Sequence, residues 1–343
     1  MKIGIVGFAG SGKTTIFNAL TGLNVETGYG SGKVNLGTIK VPDARVDRLA
    51  ELANPKKVTY AEILFADVPG SRSAGALDPA TIGRLREMDA LVQVIRGFDD
   101  GSGKLDPAGE LTAFEDELII ADMQVVEKRV ERLRKDRSNP KELAILERCL
   151  DHFSDGRPLR TLGLTDEELA PLSGFAFVSL KPLLLVLSVP EEVAAEPVPD
   201  TLAETALERG LEALPLCGPI EAEIAALDVE DQKEFLSDLG LAEPASVRFV
   251  QAAFKMLKLI SFLTHGPDEC RAWPIPEGST AVKAAAAIHS DIARGFIRAE
   301  VVAFADMDRL ETEAACKKEG KFRVEGRDYI VQDGDICHFR FNV

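Results

Sequence analysis

Eight residues near the amino terminus, Gly7-Phe8-Ala9-Gly10-Ser11-Gly12-Lys13-Thr14, fit the pattern G-x-x-x-x-G-K-[ST] and follow directly on the apolar run Lys2-Ile3-Gly4-Ile5-Val6. A loop of this kind works only between a strand and a helix, so it dictates the local fold as well as the ligand. Glycines at 7, 10 and 12 permit backbone angles that bulkier residues resist, which lets successive N–H groups converge on a phosphate. Lys13 is then expected as an exposed charge reaching the β- and γ-phosphates, and the Thr14 hydroxyl as a magnesium ligand. Ser11 and Thr15 belong to the same nucleotide-contacting set, and the helix that follows aims its N-terminus at the anion. Ile16, Phe17 and Leu20 are spaced to bury one face of that helix. The ligand class is a nucleoside triphosphate with Mg²⁺.

A chain of 343 residues has room for two or three domains and an ample core. No run of about 20 uninterrupted apolar residues is present, and the first apolar stretch is broken by Gly4 and leads straight into the loop. No membrane association is expected. Cysteines at 149, 217, 270, 316 and 337 form no C-x-x-C pair, which argues against zinc or a disulfide framework and for a reducing, cytoplasmic setting. The net charge of −16 is concentrated between residues 105 and 250. That segment repels polyanions, while the flanks remain free to approach one. A monomer is expected.

Apolar runs at 35–41, 59–66, 91–98, 182–189 and 213–217 join the first strand as candidates for one buried sheet, with helical patterns between several of them. This is an α/β doubly wound signature. Between the runs at 91–98 and 182–189 the period changes. Ile119, Met123, Val126, Val130 and Leu133 recur at helical spacing, and Leu143, Leu146, Leu150 and Phe153 continue the rule after a break at Ser138-Asn139-Pro140. Two antiparallel helices are predicted, the second opened by Pro140, either as a projecting helical hairpin or as ordinary packed helices. From Gly266 onward a small β-rich module with one Ala-rich helix (281–289) is predicted. It closes on a hairpin of 328–331 with 336–341 around an Asp-Gly turn.

Asp67-Val68-Pro69-Gly70 follows an apolar strand and has the form D-x-x-G, in which the Asp holds Mg²⁺ through water and the Gly amide senses the γ-phosphate. With this second element the chain resembles the YchF family, the Obg-like ATPases of the translation-factor-related P-loop class. The likeness rests on the order of the phosphate loop, Pro42-Asp43-Ala44-Arg45-Val46-Asp47-Arg48-Leu49-Ala50, D-x-x-G and the helical insertion. It continues through Arg271-Ala272-Trp273, Gly295 to Glu300, Gly326 to Asp335 and the terminal Phe341-Asn342-Val343. The resemblance implies a nucleotide-binding domain over 1–104 and 174–265, a helical, coiled-coil-like insertion over 105–173, and a β-grasp module of the TGS type over 266–343. It further implies nucleotide hydrolysis coupled to the ribosome or RNA.

Several positions depart from the family pattern. Gly10 stands where relatives carry Asn, which removes an oxygen ligand for a monovalent cation. Ser71 follows the D-x-x-G, and Asp99-Asp100-Gly101-Ser102-Gly103-Lys104 holds no counterpart to the family's catalytic His. No general base is identifiable, so slow turnover is expected. Ser31 falls where the family places a Mg²⁺-binding Thr, with Thr27 and Thr38 as alternatives. For the base, Ser188-Val189-Pro190-Glu191 replaces the family's N-x-x-E, and Cys217 lies in the neighbouring loop. ATP and GTP both remain open. Alternative functions are a nucleotide-binding regulator with negligible hydrolysis, or an RNA-binding adaptor acting through Lys317, Lys318, Lys321, Arg323 and Arg327.

Because the paired acceptors of a guanine code are absent, ATP is expected to bind at least as well as GTP. Parallel titrations check this; a GTP preference of about a hundredfold or more, roughly 3 kcal/mol, contradicts it.

Overall fold

The computed structural model describes residues 1–26, 33–70, 77–101 and 103–342. Among these the strands are β1 (Lys2–Val6), β2 (Asn35–Val41), β3 (Lys57–Thr59), β4 (Ala61–Asp67), β5 (Ala90–Arg96), β6 (Leu183–Ser188), β7 (Ala213–Leu216), β8 (Leu259–Thr264), β9 (Glu269–Pro276), β10 (Phe296–Ala303), β11 (Arg323–Glu325) and β12 (Asp335–Phe341). The chain forms two compact units, Met1–Ile39 with Leu64–Phe249, and Lys40–Ile63 with Val250–Val343.

All the apolar runs predicted to share a sheet do so, in the order β2-β4-β1-β5-β6-β7. β1 pairs in parallel with β4 and β5, and β5-β6-β7 continue in parallel. β6 is buried at every residue and β5 at all but its last, which is why both read as continuous apolar runs rather than alternating ones. β1 lies between β4 and β5, so the carboxyl ends of three neighbouring strands converge on whatever follows β1.

The long helix Pro107–Asp136 opens with Asp106 accepting from Gly109 N–H at 3.0 Å and with Pro in its first turn. Its first half is core: Leu111, Phe114 and Leu118 pack with Leu91, Leu185 and Leu187 of the sheet. Its second half leaves that core. Val126, Val130 and Leu133 face Leu146, Cys149 and Phe153 of the helix Pro140–Ser154, with Leu143 and Leu150 partly buried beside them. Asn139 caps the second helix and Arg129 grips Glu142 through two bonds of 2.7 and 2.9 Å. A boundary at residue 105 therefore falls ahead of a helix whose early turns belong to the sheet.

One buried carboxylate ties this helix back to the segment that leads into β6. Asp122, fully buried, accepts from Val178 N–H (3.1 Å), Ser179 N–H (2.7 Å) and Ser179 Oγ (2.8 Å), with Arg86 beside it. Burial pushes its carboxyl above the usual range, and the Ser179 and Val178 donors oppose that shift.

The second unit carries a mixed sheet in the order β11-β10-β12-β8-β9-β3. β12 runs antiparallel to β10 and parallel to β8. The helix Ala281–Ile288, capped by Thr280, lays Ala281, Ala284 and Ala285 against Phe262, Ile275 and Val301. The small side chains let the helix backbone approach the sheet closely. A module starting at Gly266 would omit β8, which lies between β12 and β9, as well as edge strand β3, which comes from residues 57–59. The unit accordingly begins at Val250 and draws in Lys40–Ile63.

The predicted closing hairpin does not form. Residues 328–331 bond instead to the turn before the Ala-rich helix, with Ala281 N–H on Tyr329 O (2.8 Å) and Val331 N–H on Ser279 O (3.0 Å). Two carboxylates in the Asp-Gly turn redirect the chain. Asp333 accepts from Ser261 N–H, and the buried Asp335 accepts from Gln332 N–H and the Tyr329 hydroxyl. β12 is thereby freed to pair with β10 and β8.

Asp122→Ala is expected to destabilise the protein by about 3 kcal/mol, because it leaves two buried backbone donors unsatisfied. Denaturant unfolding of both forms measures it, and a loss of under about 1 kcal/mol contradicts the assigned role.

Candidate functional site

β1 ends at Val6, and the chain turns through Gly7, Gly10 and Gly12 at φ of 141°, 84° and 90°. These are angles that L side chains rarely adopt. Gly7 is also sterically required, since a Cβ there would lie 2.4 Å from Val94 O of β5. Gly12 then precedes the helix Lys13–Thr21, which has no side-chain cap and no acid in its first turn. The first N–H groups of that helix therefore remain free for an anion.

Lys13 is buried rather than exposed. Its ammonium donates to Phe8 O at 2.6 Å. Burial depresses its pKa to about 8, opposed by the charges of Asp67 and Glu110. The Gly70 backbone closes over it, so that a Cβ at Gly70 would sit 2.8 Å from Lys13 Nζ and 3.0 Å from Gly7 O. The D-x-x-G segment thus lies directly on the phosphate loop.

The link between the two motifs is a hydrogen bond from Thr14 Oγ1 to Asp67 Oδ2, 3.1 Å long and spanning 53 residues of sequence. Asn35, at the start of β2, donates its amide to the same Oδ2 at 3.4 Å. Asp67 is buried, and its Oδ1 has no hydrogen-bond partner. A hydroxyl in contact with a carboxylate that keeps one oxygen unsatisfied is the hard-oxygen donor set Mg²⁺ takes when phosphates and water supply its other ligands. The residues fit that ion. Among the described residues no group of three or more His, Cys, Asp or Glu could hold a metal by itself.

On the other side of the loop, Ser188 at the end of β6 places its hydroxyl 2.7 Å from where a Gly12 Cβ would be, and its carbonyl accepts Gly97 N–H at 2.8 Å. Cys217 is the buried residue preceding helix Gly218–Ala226, and Gly218 packs on Thr15, whose Cγ2 would be 2.9 Å from a Cβ at 218. Burial raises the Cys217 thiol above its usual range, which leaves it an inert packing group. Glu191 begins an exposed 3₁₀ turn just past Ser188. Ser11 is buried with no partner for its hydroxyl. Ser31 and its alternative Thr27 lie outside the described residues, as do Ser71 and Ser102, whereas Thr38 is exposed on β2.

Two residues here escaped the sequence reading. Asn35 is an unremarkable residue at a strand start, and only the pairing of β2 beside β4 brings it to Asp67. Glu110 stands in the first turn of the helix Pro107–Asp136, where an acid reads as ordinary helix-dipole compensation. The Asp-Pro start of that helix was the available signal.

Comparison with known proteins agrees with this geometry. Residues 2–129 match the family described as 50S ribosome-binding GTPase, and residues 259–342 match YchF-GTPase_C, described as a protein of unknown function. The chain is 39% identical over 360 residues to the ribosome-binding ATPase YchF of Haemophilus ducreyi, covering 100% of this chain and 99% of that one. It is 37% identical over 364 residues to the ribosome-binding ATPase YchF of Bacillus subtilis, covering 100% of both. Its fold superposes on the Schizosaccharomyces pombe YchF GTPase with a TM-score of 0.90 at 27% identity, covering 99% of this chain and 97% of that one.

Gly7→Ala is expected to cost about 3 kcal/mol or more through the positive φ and the clash with Val94 O. Thermal melting tests this. An unchanged melting temperature would show that the loop does not need glycine at this position.

Proposed function

This chain belongs to the YchF family, and from that premise we propose that it is a magnesium-dependent, slowly turning over nucleoside triphosphatase that works on the ribosome. The observation that carries the reading is the Thr14–Asp67 hydrogen bond, which unites the phosphate loop and the D-x-x-G segment in one place. The residues proposed to hold the nucleotide are Gly7, Gly10, Ser11, Gly12, Lys13, Thr14, Thr15, Asp67 and Gly70. Ser188, Glu191 and Cys217 are proposed to border the base.

In this reading the loop amides and the uncapped helix N-terminus bind the phosphates, and Lys13 neutralises charge that grows on the β–γ bridge as the bond breaks. To do so Lys13 exchanges Phe8 O for a phosphate oxygen. Burial of the ammonium strengthens that contact, since little water competes for it. Bound Mg²⁺ would add charge neutralisation at the phosphates, held through Thr14 and Asp67, with Ser31 as the proposed first-switch ligand. Gly70 offers a backbone N–H and no side chain, which lets the switch segment lie against Lys13. Asp99 caps Gly101 N–H and Asp100 pairs with Arg96, so neither is poised as a base, in keeping with slow turnover.

The second unit is proposed to be a β-grasp module of the TGS type. The central parallel pair β12-β8 and the helix packed across the sheet support that assignment. The alternative of an RNA adaptor draws partial support from the basic cluster: Lys318 is exposed and Arg327 donates only to Phe296 O, while the other three cations are paired. Lys317 pairs with Glu313, Lys321 with Asp306, and Arg323 with Asp335 and Glu325. No helix among the described residues is long and apolar enough to cross a membrane, and a cytoplasmic monomer is part of the proposal.

Lys13→Ala is expected to weaken triphosphate binding about a hundredfold or more while the protein remains folded, because the deletion removes a desolvated charge and a phosphate contact together. Equal binding by a folded variant rules out the site. For the function as a whole, purified protein is expected to release phosphate slowly from ATP or GTP, to stop when Mg²⁺ is chelated, and to co-sediment with ribosomes. Absence of both turnover and ribosome association overturns the reading.

A further inference from the structure

Glu110 is a carboxylate beside the phosphate loop to which the reading above gives no role. Its Oε2 accepts Arg96 N–H at 3.3 Å, at the carboxyl end of β5, and its Oε1 is shielded from water without any hydrogen-bond partner. Glu110 stands one turn before Phe114, whose ring meets Phe8 edge-on at 5.9 Å, and the Phe8 carbonyl holds the Lys13 ammonium. Asp67 shares the Lys13 charge, and the Arg96 guanidinium of β5 is already engaged by Asp100. An ionised carboxylate usually fills both oxygens when buried. Here only one is filled, and the nearby positive charge it answers is the lysine that a phosphate would also claim.

We propose that Glu110 is a proton-exchanging positioning residue of the phosphate site, partly ionised near neutral pH while Lys13 is unclaimed and protonated once the phosphates of a nucleotide engage Lys13, so that nucleotide binding carries a fraction of a proton into the protein. The proposal rests on the phosphate-loop reading above and adds to it a charge switch behind the loop. When ionised, Glu110 divides the Lys13 charge and repels an arriving polyphosphate; when neutral, it leaves that charge wholly to the ligand. Burial raises the Glu110 carboxyl to about 7, opposed by the Arg96 N–H, the Arg96 charge and Lys13, in that order. Phosphate charge in excess of what bound Mg²⁺ would neutralise offsets the Lys13 influence on Glu110, so the bound-state value would lie higher. The sign follows. The Glu110 contribution to affinity is full below about pH 7 and is lost as pH rises from there to the bound-state value, by at most about tenfold per pH unit; Lys13, itself lowered to about 8, adds a separate fall that Glu110→Gln retains.

Calorimetric titration of the full chain with magnesium-saturated ADP or a non-hydrolysable triphosphate, in two buffers of unequal ionisation heat, reads the proton directly. At about pH 7 the wild type is expected to take up about half a proton more per nucleotide than Glu110→Gln, which keeps the shape and the Arg96 contact. Between about pH 6.5 and 8.5 wild-type affinity is expected to fall about fivefold or more beyond any fall in the variant, and near pH 8 the variant is expected to bind the tighter of the two. Infrared difference spectra of the unsubstituted protein provide a measurement that does not depend on the variant folding: a protonated carboxyl band is expected to appear on nucleotide addition. Equal proton uptake in the two proteins, or no new carboxyl band, overturns the role of Glu110 alone. Failure of the folded wild type to bind any nucleotide removes the phosphate-loop reading and this proposal with it.

Discussion

The carbonyl of Val94 approaches Gly7 so closely that no side chain can stand there, and the arrangement of the site follows from that contact. It fixes the turn after β1 against β5, and parallel pairing of β1 with β4 and β5 sets three strand ends side by side. From β4 the chain delivers Asp67 and Gly70, and from β5 the Arg96 N–H and Gly97. Ser188 then fits under Gly12, from the next strand along. A bulkier residue at any of these close approaches would push the loop away from the groups that complete it.

Charge is handled differently in the interior of the two units. In the first, buried carboxylates take structural donors: Asp122 holds Val178 and Ser179, and Glu221 accepts from Ala245 N–H and Ser246 N–H at 2.7 and 2.9 Å. Around the phosphate loop the groups are left short of partners instead, as Ser11 Oγ, Asp67 Oδ1 and Glu110 Oε1 show. Unfilled buried polar atoms carry a desolvation cost; others lie at Gln93, Glu115, Arg160 and Arg271, so what marks the loop is their meeting there with an uncapped helix N-terminus. In the second unit Asp333 and Asp335 are filled by backbone and side-chain donors, which organises a turn rather than a site.

The helices legible in advance were those with local punctuation. Pro140 behind the Asn139 cap and Thr280 ahead of an alanine run mark starts that neighbouring residues decide. The closing hairpin failed because its turn signal was real but its partner was not local. Asp333 takes Ser261 N–H, Asp335 takes Gln332 N–H and the Tyr329 hydroxyl, and the second flank pairs with β10 and β8 instead.

The phosphate loop, its helix, the D-x-x-G segment, the membership of the parallel sheet and the class of ligand were determined by the sequence alone, because each rests on short-range backbone geometry or on apolar runs that only a buried strand satisfies. Tertiary structure alone decided that Lys13 is buried on Phe8 O, that Asn35 reaches Asp67 and that Glu110 reaches the Arg96 N–H. It also decided that residues 40–63 belong with the carboxyl-terminal sheet and that the long helix begins inside the core of the first unit. Those outcomes depend on contacts between residues far apart in the chain. Their strengths are set by which strands become neighbours and how deeply a charge is then buried, and neither is written in the spacing of residues along a single segment.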